Sequence, residues 1–342
     1  MLLLPAMKIS HVIKYAVLAC FLVSCAGIEK VKVTSSFVEF STDVNISLFG
    51  LDIPDSSKTS HIISASREIF SYFNSEMNPY IETSSLNILN SAEPHVRKEI
   101  PVPLREILKI SKNLHKYTDK YFNVAVLPVV ELWGFYNEKE PSKPDEQLLM
   151  ETLKISDLDC YTFQGDSFIV SDKRCRIGLG GIAKGYAVDS TAHYLDLQGY
   201  TDFIVEAGGD LVVRSPNVKN IGIKHPRIEN MLIDTIYVRS GAVATSGDYE
   251  KFIEADGTRY CHIINPFTGY GISDIISVTV ISEKTYLSDA FATAAFAMGR
   301  EKAEYILEKN KLSALIYYYG NGKIEKKEIN MENYKKPVGY GL

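Results

Sequence analysis

Three groups of residues have the types and spacing to do chemistry. The segment GLGGIAKGYAVD, residues 178–189, packs four glycines and Lys184 ahead of a helix that should begin near Ala183. Glycines let backbone N–H groups approach an anion, and the helix start adds its positive end. Taken alone, Gly178-Leu179-Gly180-Gly181-Ile182-Ala183 satisfies the dinucleotide fingerprint G-x-G-x-x-A, with Asp202 and Glu206 at a tolerable distance for the ribose acid. A hairpin pattern stands where that fold needs an isolated strand, so the context argues against it. The Walker pattern fails because Gly185 and Tyr186 follow Lys184. A merely tight strand-to-helix turn is the competing reading.

The second group is Asp289 and Thr293, at i and i+4 on a helix otherwise made of Ala, Phe and Met. A carboxylate and a hydroxyl on one face could supply hard oxygen ligands to Mg²⁺. Equally, Asp289 could cap the helix and Thr293 bond back to a carbonyl. The third group is polar turns: EAGGD at 206–210, ATSGDY at 244–249 with Asp248, and His262-Ile263-Ile264-Asn265-Pro266 followed by Thr268-Gly269. Paired glycines at a strand end mark close approach of a backbone or ligand.

These groups need elements to hold them. Residues 30–50 alternate apolar and polar as a strand pair, and SHIISASREIFSYFNSEM and PLREILKISKNLHKYTDKYF carry apolar residues at helical spacing. From about residue 199 short runs rich in Val, Ile, Thr and Tyr predict strands: TDFIVEA, NIGIKH, LIDTIYV, AVATSG, YCHIIN and IISVTVI. Helices over SDAFATAAFAMG and REKAEYILEK, then a hairpin with a GNGK turn, close the chain. There is no repeat or flexible linker, and EKEPSKPDEQ reads as a loop within one α+β domain.

With 342 residues, 46% hydrophobic and 23% charged, the chain is long enough to bury a substantial core. A net charge of −5 without a basic run excludes nucleic-acid binding as its business. Lys8, His11 and Lys14 precede an apolar run from Tyr15 to Val23, about half of the roughly 20 residues a membrane span needs, so residues 1–24 read as an export signal. Leu22-Val23-Ser24-Cys25 looks like a bacterial lipobox with Cys25 as the acylated residue, and Met7 is an alternative start. Beyond it only Cys160, Cys175 and Cys261 remain. Cys160 and Cys175 flank a hairpin and could pair, but buried free thiols are the expectation.

In order and spacing the segments resemble the ApbE-type FAD:protein FMN transferases. The carriers are Met77-x-x-Tyr80 before SSLNILN, FNVAVLPVVELWGF, GLGGIAKGYAVD, EAGGD, ATSGDY, HIINPFTG and DAFATAAFAMG. The resemblance implies one α+β domain over residues 25–342, with mixed sheets covered by helices. It implies binding of FAD with Mg²⁺ at the diphosphate, and transfer of FMN to a Ser or Thr hydroxyl of an acceptor protein in the bacterial envelope, releasing AMP. It places the metal on Gly181, Asp289 and Thr293, the cofactor against Met77, Tyr80, Leu132, Trp133, Gly134, Gly178, Lys184, His262 and Ile263, and the chemistry on His262, Asp248 and Lys184. Without it, Trp133 reads as a core anchor with a satisfied indole N–H. The chain departs from the family pattern at four acids, having Gly178, Asn265, Asn123 and Ser85 instead. These losses keep open a flavin-binding lipoprotein without transferase activity, and the G-x-G-x-x-A match a nicotinamide oxidoreductase.

Overall fold

The computed structural model describes residues 31–51, 56–136 and 140–336. The export signal and Cys25 lie outside them. Strands β1 (Val31–Glu39) and β2 (Thr42–Leu51) form the expected N-terminal hairpin, turned by Phe40 and Ser41 at φ 52° and 58°. Helices α1 (Ser56–Met77), α2 (Ser85–Asn90), α3 (Val102–Tyr117), α4 (Leu127–Leu132) and α5 (Glu146–Ile155) follow. A small hairpin of β3 (Tyr161–Gln164) and β4 (Ser167–Val170) leads into the glycine turn and α6 (Ala183–Leu197). Then come β5 (Phe203–Ala207), β6 (Asp210–Lys224), β7 (Leu232–Gly247), and a second small hairpin, β8 (Phe252–Ala255) with β9 (Thr258–Cys261). The chain closes with β10 (Ser277–Ser282), α7 (Thr285–Met298), α8 (Arg300–Lys309), β11 (Ser313–Gly320) and β12 (Lys323–Ile329).

Eight strands make one sheet in the order β1-β2-β5-β6-β7-β10-β11-β12. Every pairing is antiparallel, so the α+β class holds while the sheet is antiparallel and not mixed. The hairpin ahead of the glycine turn and the absence of a parallel pair among the described residues remove the dinucleotide-fold reading.

Side-chain alternation splits the sheet into two apolar faces. Val212, Val278, Val280, Ala314 and Ile316 join the main core with α1, α6 and α7; Val213, Ile236, Val238, Leu315 and Tyr317 form a second cluster. Helix α7 is buried nearly all round, which explains its run of Ala and Phe. It meets α6 at Gly185, where a Cβ would stand 2.7 Å from the backbone of Thr285. The Asp189 carboxylate, on α6, accepts from the N–H groups of Thr285 and Tyr286 at 2.9 and 3.0 Å and so caps α7 from the neighbouring helix.

Two expectations are corrected. LIDTIYV and AVATSG are parts of the single strand β7, which passes Gly241 without ending. Cys160 and Cys175 form a disulfide, with Cα atoms 5.8 Å apart, because the β3–β4 register brings the residues flanking the hairpin together. Cys261 is a buried free thiol as expected.

Candidate active site

The glycine turn, the start of α6, the middle of α7 and the turn after β7 surround a cavity of about 470 Å³. The turn is fixed at its entry by the Gly178 N–H donating to Val124 O at 2.8 Å, and at its exit by Ile182 and Ala183 N–H groups donating to Leu179 O. A Cβ on Gly181 would stand 2.9 Å from Thr293 Oγ1, so the turn is drawn against α7. At Gly180 a Cβ would meet no heavy atom within 4 Å, and that residue lines the cavity.

Asp289 and Thr293 both face the cavity. The capping alternative for Asp289 fails, because α7 begins four residues earlier under Asp189 and Asp289 sits in mid-helix. Its Oδ2 instead accepts from the N–H of Gly185 at 3.4 Å. Thr293 Oγ1 is 3.4 Å from Ser246 Oγ on β7.

Lys184 Nζ lies 3.0 Å from Asp210 Oδ2 and 3.9 Å from Asp289 Oδ2, all three inside the cavity wall. Lys184 and Asp210 are an ion pair with the carboxylate buried. Burial disfavours the ammonium, but the two carboxylates overcome it and raise the Lys184 pKa. Burial also raises both carboxylate pKa values, and Asp210 adds repulsion at Asp289. Two buried carboxylates share one lysine, and with no cation between them the second charge is relieved by a proton, the Asp289 carboxyl being pushed up to about 8. A hard cation fits such a place: two carboxylates, the Thr293 hydroxyl and the neighbouring Gly181 backbone are oxygen donors of the kind Mg²⁺ takes. Among the described residues no three His, Cys, Asp or Glu side chains come together as metal ligands, so a metal here would draw on the hydroxyl and backbone oxygens beside the carboxylates.

His262 follows β9 and turns its ring into the cavity wall. Its backbone N–H and its Nδ1 both meet the Lys251 carbonyl, at 3.0 and 3.3 Å. A carbonyl only accepts, so Nδ1 carries the proton and Nε2 keeps its lone pair. Burial, with the charges of Lys251 and Lys184, pushes the imidazole pKa down to about 4 against the pull of that hydrogen bond. Around it stand aromatic rings: Tyr80 and Tyr136 stack 6.2 Å apart, and Tyr136 meets the imidazole edge-on at 6.1 Å.

Of the expected site residues, Met77, Tyr80, Gly178, Gly181, Lys184, His262, Ile263, Asp289 and Thr293 line this cavity. Leu132, Trp133, Gly134 and Asp248 do not. Trp133 is fully buried, its indole N–H donating to Gly269 O at 2.8 Å, as a core anchor does. Leu132 packs in the same cluster, and Gly134 turns the chain at φ 82° against Pro141. The reason is helical: α4 presents Leu127 and Val130, one turn apart, to the cavity and rotates its C-terminal residues into the Trp133 cluster. Asp248 is held by both Arg227 Nη atoms at 2.7 and 2.6 Å, which pins the β6–β7 loop and takes its carboxylate out of the wall. The residues that sequence reasoning missed are Asp210, Tyr136, Glu250 and Lys251, all lining the cavity. Asp210 closes the quoted EAGGD, so the segment was signalled and the acid was not.

The missing acids have local explanations. Asn123 Oδ1 accepts from Ala125 N–H at 2.9 Å, and Asn265 Oδ1 from the N–H groups of Phe267 and Thr268 at 2.9 and 3.2 Å. Both are turn caps in which Asn does the work of Asp. Ser85 Oγ donates to Glu76, and a Cβ on Gly178 would meet Leu127 at 3.2 Å.

The ApbE family model matches residues 40–316. The chain belongs to the ApbE family. Among its ApbE relatives, a Vibrio cholerae FAD:protein FMN transferase is 32% identical over 254 residues, 71% of this chain and 75% of that protein. One from Haemophilus influenzae is 31% identical over 267 residues, 74% and 77% of the two chains. The flavin transferase ApbE structure from Vibrio cholerae superposes with a TM-score of 0.81 at 27% identity, covering 90% of this chain and all of that one (100%). The ApbE protein of Thermotoga maritima gives 0.78 at 31% identity over 86% and 97%.

Proposed function

We propose that this chain transfers the FMN part of FAD to a Ser or Thr hydroxyl of an acceptor protein and releases AMP, using Mg²⁺. The observation that carries the reading is the meeting of Asp289 and Thr293 with the glycine turn and Lys184 in one wall of one cavity. In this reading Lys184 and the open backbone at Gly180 receive the diphosphate, since phosphoryl transfer asks mainly for positioning and charge neutralisation. Asp289, Thr293 and the Gly181 carbonyl, with Asp210 beside them, would hold Mg²⁺, whose chemistry there would be further neutralisation of the diphosphate charge. Tyr80 and Tyr136 offer flat faces to a ring of the cofactor, and neutral His262 takes the acceptor's proton on Nε2. Acylation at Cys25 tethers the domain on the outer side of a bacterial membrane, where envelope electron-transfer proteins are the acceptors. The Cys160–Cys175 disulfide supports an exported chain.

The test is chromatography of FAD incubated with residues 26–342, with Mg²⁺ or EDTA, and with or without a flavin-acceptor protein. AMP matched by protein-bound flavin only with Mg²⁺ and acceptor is the expected result. Tight FAD binding with no AMP under any condition would replace the transferase by a flavin-binding lipoprotein.

A further inference from the structure

The turn after β7 touches His262 at both ring nitrogens. Lys251 holds Nδ1 through its carbonyl, and the adjacent Glu250 places Oε2 3.9 Å from Nε2. Glu250 lines the cavity, and among the described residues its carboxylate makes no hydrogen bond. The Glu250 side chain is about half exposed to solvent, and the ion-pair partner it faces across the cavity mouth is the imidazole.

We infer that Glu250 is a positioning residue for the transfer reaction: it faces the nitrogen of His262 that receives the acceptor's proton and stabilises the imidazolium that results. The inference rests on the transferase reading above. In the step, the acceptor hydroxyl oxygen forms a bond to the flavin-side phosphorus and its proton passes to His262 Nε2. The bond from that phosphorus to the bridging oxygen breaks, and the electron pair leaves with AMP. The proton later goes to solvent. A positive charge thus appears on His262 only as the reaction proceeds, where Lys184 and Lys251 disfavour it. The anion in contact is Glu250. Its own surroundings are Lys184 and Lys251, and Asp210 and Lys224 from β6. Around the imidazole on its other side stand the Phe135 and Tyr136 rings, which carry no charge at neutral pH.

The experiment uses Glu250→Gln and Glu250→Asp in the mature chain, with two readouts. The first is NMR titration of His262 with labelled histidine, assigned through His262→Gln. The second is kcat and KM for FAD in AMP release across pH. Glu250→Gln should lower the His262 pKa by about one unit and kcat about tenfold, with KM for FAD changed no more than about twofold. Glu250→Asp should recover part of both. An unmoved His262 titration, or a loss confined to KM, overturns the inference. If the unaltered chain releases no AMP with any acceptor, the transferase reading fails and the catalytic role with it. A changed kcat with an unmoved titration leaves the transferase standing and removes only Glu250.

Discussion

At the residue scale the chemistry depends on groups held away from their ordinary protonation. His262 is neutral because burial and two lysines penalise its charge, with a pKa near 4 against about 6.5 in an unfolded chain. Between those values the unfolded chain binds a proton that the folded chain refuses. Its penalty is therefore absent above about pH 6.5, grows as pH falls toward 4, and is constant below. His262→Gln should remove a pH-dependent loss on the order of 3 kcal/mol, read as the difference between urea unfolding of the two chains at pH 7 and pH 4. Lys184→Ala tests the anion site separately. It should weaken FAD far more than riboflavin in equilibrium binding, since only FAD offers the diphosphate; equal losses would remove Lys184 from the phosphate site. The sequence exposed these residues unevenly. Lys184, Asp289 and Thr293 stand out by type and spacing. Glu250 does not, because a bend after Gly247 turns Asp248 toward Arg227 and Glu250 toward His262, and nothing in SGDYE says which acid faces inward.

At the element scale the site is made by two helices crossing closely. Gly185→Ala would set a methyl 2.7 Å from the Thr285 carbonyl, a backbone group that cannot swing aside. Overpacking of that kind costs about 1–3 kcal/mol, more than the roughly 1 kcal/mol of helix propensity the alanine gains. The variant should unfold at lower urea and lose Mg²⁺-dependent AMP release, because Asp289 moves with α7. Gly180→Ala is the contrast. Open space receives its methyl, so its unfolding midpoint should be unchanged while FAD affinity falls. Helices α1 and α3 were legible from periodicity, and α7 and α8 from their apolar and charged composition. The unbroken β7 was not, since Ser240-Gly241 reads as a turn but stays paired across Arg214↔Ser240 and Val213↔Gly241. Nor was the face of α4, whose six residues carry Glu131 as their one polar side chain, too little to define a polar side.

At the scale of the whole molecule the cavity gathers segments far apart in sequence, from Phe40 to Ala297, onto one antiparallel sheet. The motifs and their order were readable, but the pairing of β2 with β5 was not, because an alternating strand does not name its neighbour. The disulfide is the same problem on a smaller scale. Three cysteines suggest no framework, and it takes the register Tyr161↔Val170 together with the turn closed by Cys175 N–H on Asp172 O to bring Cys160 to Cys175. That bridge closes a loop with a sequence separation of 15 and ends three residues before Gly178. Constraint of the unfolded chain by a loop of that length is worth roughly 3 kcal/mol. The double variant Cys160→Ala, Cys175→Ala should therefore unfold at clearly lower urea. It should also bind FAD more weakly, because Arg176 and Ile177 deliver the chain to the glycine turn with one anchor fewer, the bond between Ile177 N–H and Asn90 Oδ1 at 2.8 Å remaining. Reducing agent should shift the unaltered chain toward the same midpoint and leave the double variant unmoved. Equal midpoints for both chains without reductant would mean that the two sulfurs stay thiols in the folded protein.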